Sequence, residues 1–340
     1  MMRRQWPLVV FSILSMVFGG GILSFGPPGA LAYEKYPTLF TDHNQRPNRP
    51  WRHLASTERE ALLALLEILE RSKTGKRVMA AATVKAHKMG KTLTDVIQLD
   101  DHSKTDTILS RKFYAQHPEN VVYEERSSIT LNKELSVADA VQDLAHELTH
   151  FTWRTPFNPY REDFGVRDLI KNTIEGPGGE VDAYLVECRV WNELWRGQTG
   201  SSNCLKVYDE ERRVFSREKA IKLFYQLGPY LDAWQTLAQY YHLNPADFGA
   251  ISGRPTMFTS SYYALPYPIA AIKEFRAIRQ KTCANEEKRL RLLRKRFPSD
   301  DLAQQSAIYQ RLGQRYQRQC QDQQNYAAEL VGPDHTTSSL

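Results

Sequence analysis

The 340-residue sequence predicts an α+β fold in which a small antiparallel sheet packs on helices and a mainly α-helical C-terminal region follows. Three observations carry this expectation. Apolar residues recur at helical spacing in most segments after position 136, and once before it, around Leu62–Leu69. Between Val78 and Asn132 that pattern gives way to short β-branched runs broken by polar turns. Hydrophobic residues make up 41% of the chain, enough for a sizeable buried core, and no repeat at a solenoid period is present.

The first residues read as a targeting segment. Arg3 and Arg4 precede an apolar run from Leu8 to Phe25, then a Gly26-Pro27-Pro28-Gly29 break and Ala30-Leu31-Ala32. Small residues at those two alanine positions predict cleavage before Tyr33, leaving no stable membrane span in the mature chain; the alternative is an uncleaved membrane anchor, since the run is nearly long enough to span a bilayer. The expected organisation is therefore a signal peptide over 1–32, a core over 33–200, a helical region with a terminal hairpin over 201–331, and a disordered polar tail over 332–340. An exported chain, periplasmic or secreted, meets an oxidising environment, so the four cysteines should form two disulfides. Sequence proximity favours Cys188–Cys204 and Cys283–Cys320. Net charge is +6, falling to about +4 once Arg3 and Arg4 are removed. Nucleic acid is not an expected partner, and the basic stretches near Lys288–Arg296 and Arg311–Arg318 read as solvated helix faces.

Tyr33 to about Arg52 is an extended lead-in rich in Pro, Asn and Arg. Thr57 caps a first helix that carries the Leu62–Leu69 stripe and ends at Lys73-Thr74-Gly75-Lys76. Strands are expected over Thr92–Leu99, Thr107–Phe113, Asn120–Tyr123 and Ser128–Leu131. Helices follow over Val137–Trp153, Glu180–Trp195, Ser216–Tyr225, Tyr230–His242, Pro268–Lys281, Ala284–Arg296 and Asp301–Ala328. Phe297-Pro298-Ser299 makes the last two of these a helical hairpin.

Chemistry concentrates in one of these helices. His146 and His150 are four residues apart, so an α-helix stacks both imidazoles on one face, where they can share a metal ion. Glu147 projects beside them without having to bind the metal, which suits a general base toward a metal-activated water. Ser136, with Asp139 three residues on, caps the helix. Val137, Ala140, Val141, Leu144, Ala145 and Leu148 bury one side of it, and buried histidines need partners that a zinc ion, Zn2+, would supply. Catalytic zinc takes three protein ligands and keeps one position open, and no third histidine follows closely. A carboxylate from another helix must serve. Glu180 is favoured, because the Gly176-Pro177-Gly178-Gly179 loop lets the backbone pass close to the histidine helix and Ala183 lets the two helices approach. Glu187 and Glu175 remain rivals. Asp143 and Asp182 are candidates to hold the outer ring nitrogens.

Together these residues resemble the gluzincin zinc peptidases, in particular their compact minigluzincin members. The matching pieces are Ile129-Thr130-Leu131-Asn132, His146–His150 and Glu180–Ala183, spanning about 60 residues from Ser128 to Cys188. The resemblance implies zinc on His146, His150 and Glu180, with Glu147 as general acid and base. It also implies an active-site edge strand, Ile129–Asn132, that packs on the zinc-binding helices and adds substrate backbone to the sheet. A tyrosine or histidine beyond the third ligand would stabilise the oxyanion; Tyr262 and Tyr263 are the first candidates, then Tyr267 and His242. Two positions depart from the family pattern: Thr149 stands where glycine is usual, and Tyr184 where Asp or Asn often follows the alanine. The expected activity is hydrolysis of a protein or peptide, cell-envelope peptides among them. Two alternatives are a zinc hydrolase of peptidoglycan peptides and a non-catalytic envelope binding or assembly protein.

Overall fold

The computed structural model describes residues 50–195, 203–249, 251–299 and 301–321, with 302, 304 and 305 excepted. The expected signal peptide, nearly all of the lead-in and the polar tail lie outside the described residues.

Helix α1 (Glu58–Glu70) starts where Thr57 and Glu60 form a reciprocal capping box, and Leu62, Leu65, Leu66 and Leu69 are buried along it. The stretch Lys73–Lys76, expected to end the helical region, instead opens a second helix, α2 (Lys73–Lys88). Ser72 caps it through the Gly75 amide, and the Glu193 carboxylate accepts from Ser72 Oγ at 2.6 Å and from the Thr74 amide at 2.8 Å. Gly75 answers a packing need. A Cβ there would lie 2.3 Å from the Leu69 carbonyl oxygen.

Three strands follow: β1 (Ile97–Asp100), β2 (Lys104–Phe113) and β3 (Val121–Asn132). The two separate runs expected over 120–131 are one strand. The sheet order is β1-β3-β2, and the expectation of a purely antiparallel sheet is corrected: β2 pairs antiparallel with β3, but β1 pairs parallel to it. A second correction bears on the site. Ile129–Asn132 is not an edge, because Ile97–Asp100 pairs with all four residues on one side while Lys104 and Thr105 pair with Thr130 and Ile129 on the other. With its backbone donors and acceptors so engaged, that segment has no ladder to offer a substrate. The edges are β1 and β2.

Helix α3 (Val137–Trp153) has Ser136 as its N-cap, and its apolar face is buried throughout. A short helix not foreseen in the sequence, α4 (Val166–Ile174), precedes α5 (Glu180–Trp195). The remaining helices are α6 (Arg217–Phe224), α7 (Leu231–Tyr240), α8 (Tyr267–Arg294) and α9 (Ala307–Tyr316), with a minimal hairpin of β4 (Tyr208–Asp209) and β5 (Val214–Phe215) before α6. The two helices expected over 268–296 are one continuous 28-residue helix. Disulfides join Cys188 to Cys204 and Cys283 to Cys320. Among the described residues no helix is long and apolar enough to cross a membrane.

Two apolar cores organise these elements. One gathers α1, α2, α3 and the sheet; the other gathers α4, α6, α7 and α8. Helix α5 serves both, with Val186 and Val190 in the first core and Val181, Tyr184, Leu185 and Cys188 in the second. A buried ionic cluster ties β2 to α8. Arg111 bonds Glu286 at 2.6 Å and stacks on the Tyr160 ring at 3.8 Å, and Arg289 and Arg315 share the same carboxylate.

Candidate metal centre

The helical rise that stacks residues i and i+4 brings the His146 and His150 rings together edge to face, 4.6 Å between centroids. The first residue of α5, Glu180, reaches them. Its Oε2 lies 3.4 Å from His146 Nε2, and its Oε1 lies 3.5 Å from His150 Nε2. One ligand atom from each of the three groups falls within 4.8 Å of the others, so His146, His150 and Glu180 form a cluster able to hold a metal ion. The fit can be tested on these spacings. Four ligands at about 2.0–2.1 Å from one ion stand about 3.3 Å apart at the corners of a tetrahedron, close to the distances observed.

The outer ring nitrogens fix which atoms face inward. His150 Nδ1 donates to the Gly178 carbonyl at 2.7 Å, so a neutral ring leaves the Nε2 lone pair directed at Glu180. His146 Nδ1 meets Glu187 Oε2 at 3.2 Å. Glu187, one of the two rival ligands, thus stands behind a histidine, seven residues and two turns along the same face of α5 as Glu180. The other rival, Glu175, accepts from the Tyr225 hydroxyl at 2.6 Å. Of the residues expected behind the histidines, Asp182 accepts instead from the Gly178 amide at 3.0 Å and pairs with Arg217. Asp143 is hydrogen-bonded by Ser103, and burial pushes it up to about 6.

The loop that carries Gly178 runs against the end of α3. Gly178 has φ of +65°, and a Cβ on it would sit 2.5 Å from the Arg154 nitrogen and 2.8 Å from the Trp153 carbonyl carbon. Only glycine allows this approach, which delivers both the His150 partner and the start of α5.

Electrostatics divide the two histidines. Burial, reinforced by Arg154, pushes His150 down to about 4. Burial also works against a charge on His146, but Glu180 and Glu187 outweigh it and hold that ring well above its ordinary value. Burial disfavours the Glu180 carboxylate as well, yet the neighbouring histidines and Arg154 keep it well below the usual range. Glu147 stands beside the cluster, outside the ligand set. Burial pushes it up to about 8 against the pull of His146. Thr105 on β2 clamps it, its hydroxyl lying 2.6 Å from Glu147 Oε2 and 2.9 Å from the Glu147 carbonyl. The strand bordering the site is therefore β2.

The departures from the gluzincin pattern are absorbed locally. The buried Thr149 hydroxyl donates to the Ala145 carbonyl at 2.8 Å within α3. Tyr184 points into the second core, edge-on to Phe224 and Phe258.

The tyrosine candidates lie elsewhere. Tyr262 is 71% exposed and packs edge-to-face on Tyr263, whose ring lies 5.3 Å from Lys273 Nζ. Burial, with Glu274 and Tyr262 adding, pushes Tyr263 up to about 12. Neither bonds the histidine–glutamate cluster among the described residues. Glu274 on α8 lies between the two: burial, with Asp106 and Glu180 adding, holds it above the usual carboxylate range against the pull of Arg154, and it in turn acts on Tyr263. Tyr267 packs edge-to-face on Phe224, and His242 follows α7 with φ of +51°.

Sequence reasoning passed over Arg154, whose Nη2 donates to Glu180 Oε1 at 2.8 Å and lies 3.5 Å from His150 Nε2. Its position four residues after His150 carried that signal. A second group, Asp100, Asp101 and His102, lies at the end of β1 with both carboxylates exposed, and lacks this enclosure. No family model, no curated protein and no solved structure matches the chain.

Proposed function

We propose that this chain is an exported, zinc-dependent metallopeptidase of the gluzincin kind, hydrolysing peptide bonds in proteins or peptides. The observation that carries the reading is the convergence of two histidine Nε2 atoms and one carboxylate, with a buried glutamate alongside that takes no part in the ligand set. Three protein ligands are the complement of a catalytic zinc, since a structural site closes all four positions. Zinc held there would supply Lewis acidity for the scissile carbonyl and acidify water.

The chain's own residues account for the rest. Glu147 takes a proton from the attacking water on its carboxylate and returns it to the leaving nitrogen. Thr105 keeps that carboxylate in place, and Gly178 and Glu187 keep the rings in orientation. The outer edge of β2 is the ladder on which an extended substrate can lie, taking the role first expected of Ile129–Asn132. Two disulfides are compatible with an extracellular location.

Metal analysis of the mature protein tests the reading together with digestion of an unbiased peptide library. About one zinc per chain is expected, lost in Glu180→Ala, with cleavage abolished by chelation. Stoichiometric zinc without cleavage of any peptide would contradict it.

A further inference from the structure

We infer that the pocket beside Arg154 seats the C-terminal residue of a peptide substrate, with the Arg154 guanidinium holding its free carboxylate. This rests on the peptidase reading and narrows it to removal of the last residue. Water would then supply hydroxyl to the shortened chain and hydrogen to the nitrogen of the released amino acid.

Arg154 stands at the end of α3 and belongs to two places at once. Through Nη2 it contacts the candidate metal ligands Glu180 and His150. It also lines a cavity of about 340 Å³ whose walls include Phe157, Phe164, Asn158, Asn172 and Pro177. That volume suits one side chain and lies at the small end of ligand pockets. Gly176 and Pro177 in its lining lead along the chain to Gly178, whose carbonyl holds His150, and Arg154 is the side chain that the cavity shares with the cluster.

Charge then selects the ligand. The pocket's other arginine, Arg161, is committed to Asp163 through bonds of 2.8 and 2.5 Å, and the lining Asp168 pairs with Arg167 at 3.2 Å. Arg154 is different. Among the described residues its side-chain hydrogen bonds all leave from Nη2, and its Nε–H is buried without an acceptor. Its one carboxylate partner, Glu180, would be taken up by a divalent cation, leaving the guanidinium charge largely uncompensated. Glu274 faces it too, but burial holds that carboxyl above its usual range and no hydrogen bond joins the two among the described residues. A planar fork of donors with open positions is the side chain best matched to a carboxylate.

The test uses zinc-loaded Glu147→Gln protein, which binds without turning over, and calorimetric titration with acetyl-alanyl-alanyl-phenylalanine as the free acid and as the C-terminal amide. The acid is expected to bind at least about tenfold more tightly, a difference of about 1.4 kcal/mol. Adding Arg154→Met should bring the acid down to the level of the amide while zinc content holds. If the methionine variant loses zinc, Arg154→Lys takes its place, keeping a charge on Glu180 but not the planar fork. Equal binding of acid and amide overturns the inference and leaves the peptidase reading standing. So does a preference that survives loss of the guanidinium. Binding of neither peptide overturns both.

Discussion

Replacing Gly178 with alanine should damage the fold and the metal centre together, and the structure sets the size of both effects. The residue sits at φ +65°, where an L side chain costs about 1–2 kcal/mol. The new Cβ would stand 2.5 Å from the Arg154 nitrogen and 2.8 Å from the Trp153 carbonyl carbon, both backbone atoms that cannot rotate away. The loop must retreat, and its retreat draws the Gly178 carbonyl off His150 Nδ1, now 2.7 Å distant, stranding a buried donor at a cost of about 1–3 kcal/mol. The total is about 2–5 kcal/mol, a large share of the 5–15 kcal/mol typical of a folded protein. Loss of a histidine's outer partner lowers metal affinity roughly 10- to 100-fold. Thermal melting with chelator present should show a Tm lower by roughly 5 °C or more, and competition with a chromophoric chelator should show the weakened zinc binding. Gly178→Asn separates the causes: asparagine tolerates positive φ but still carries the Cβ, so it should recover little. An alanine variant with unchanged Tm and unchanged zinc affinity would show that the Gly178 approach sustains neither the fold nor the metal centre.

Three further outcomes follow from individual contacts. Thr105→Val removes the hydroxyl at Glu147 Oε2 and should lower kcat about 10- to 100-fold, since the buried carboxyl loses a partner worth about 1–3 kcal/mol; an equal fall in zinc affinity would place Thr105 in metal binding instead. Glu286→Gln removes the carboxylate shared by Arg111, Arg289 and Arg315 and should cost about 3 kcal/mol or more in a melting experiment, since buried cations are left facing one another; an unchanged Tm would contradict it. Glu193 supplies a pH dependence. Burial opposes its charge, but donors from Ser72 and Thr74 prevail and hold its folded pKa below the ordinary value of 4.5. Its contribution is therefore complete above that ordinary value and lost as pH falls through the depressed one. The stability difference between wild type and Glu193→Gln, about 1 kcal/mol at neutral pH as for a helix cap, should vanish in acid. A difference that persists there would argue against the carboxylate as its source.

What the sequence made legible was local. The expected bounds of α3 and α5 coincide with those observed, because the cap at Ser136, the apolar stripe and the Gly-rich loop are all encoded within a few residues of the elements they define. Proximity likewise gave both disulfide pairings. What failed depended on distant partners. Helix α2 begins at residues that look like a terminator, and it is anchored by Glu193, more than a hundred residues away. The exposed, charged middle of β3 disguised one long strand as two, and the parallel β1 that closes off Ile129–Asn132 leaves no mark in β3 itself. At the site, helical spacing placed the two histidines and the glutamate beside them. It also put Glu187 and Arg154 on the right faces, but the partners they meet come from tertiary packing. Thr105 was not legible at all, since its role depends on which strand ends beside α3.

Hydrolysis at a zinc centre with Glu147 as the proton carrier is tested in one preparation of Glu147→Gln by measuring zinc content and peptide-hydrolysis rate side by side. The variant should hold about one zinc per chain, as wild type should, and its rate should be lower by about 10²- to 10⁴-fold. A variant that keeps its zinc and hydrolyses peptides at the wild-type rate would contradict it.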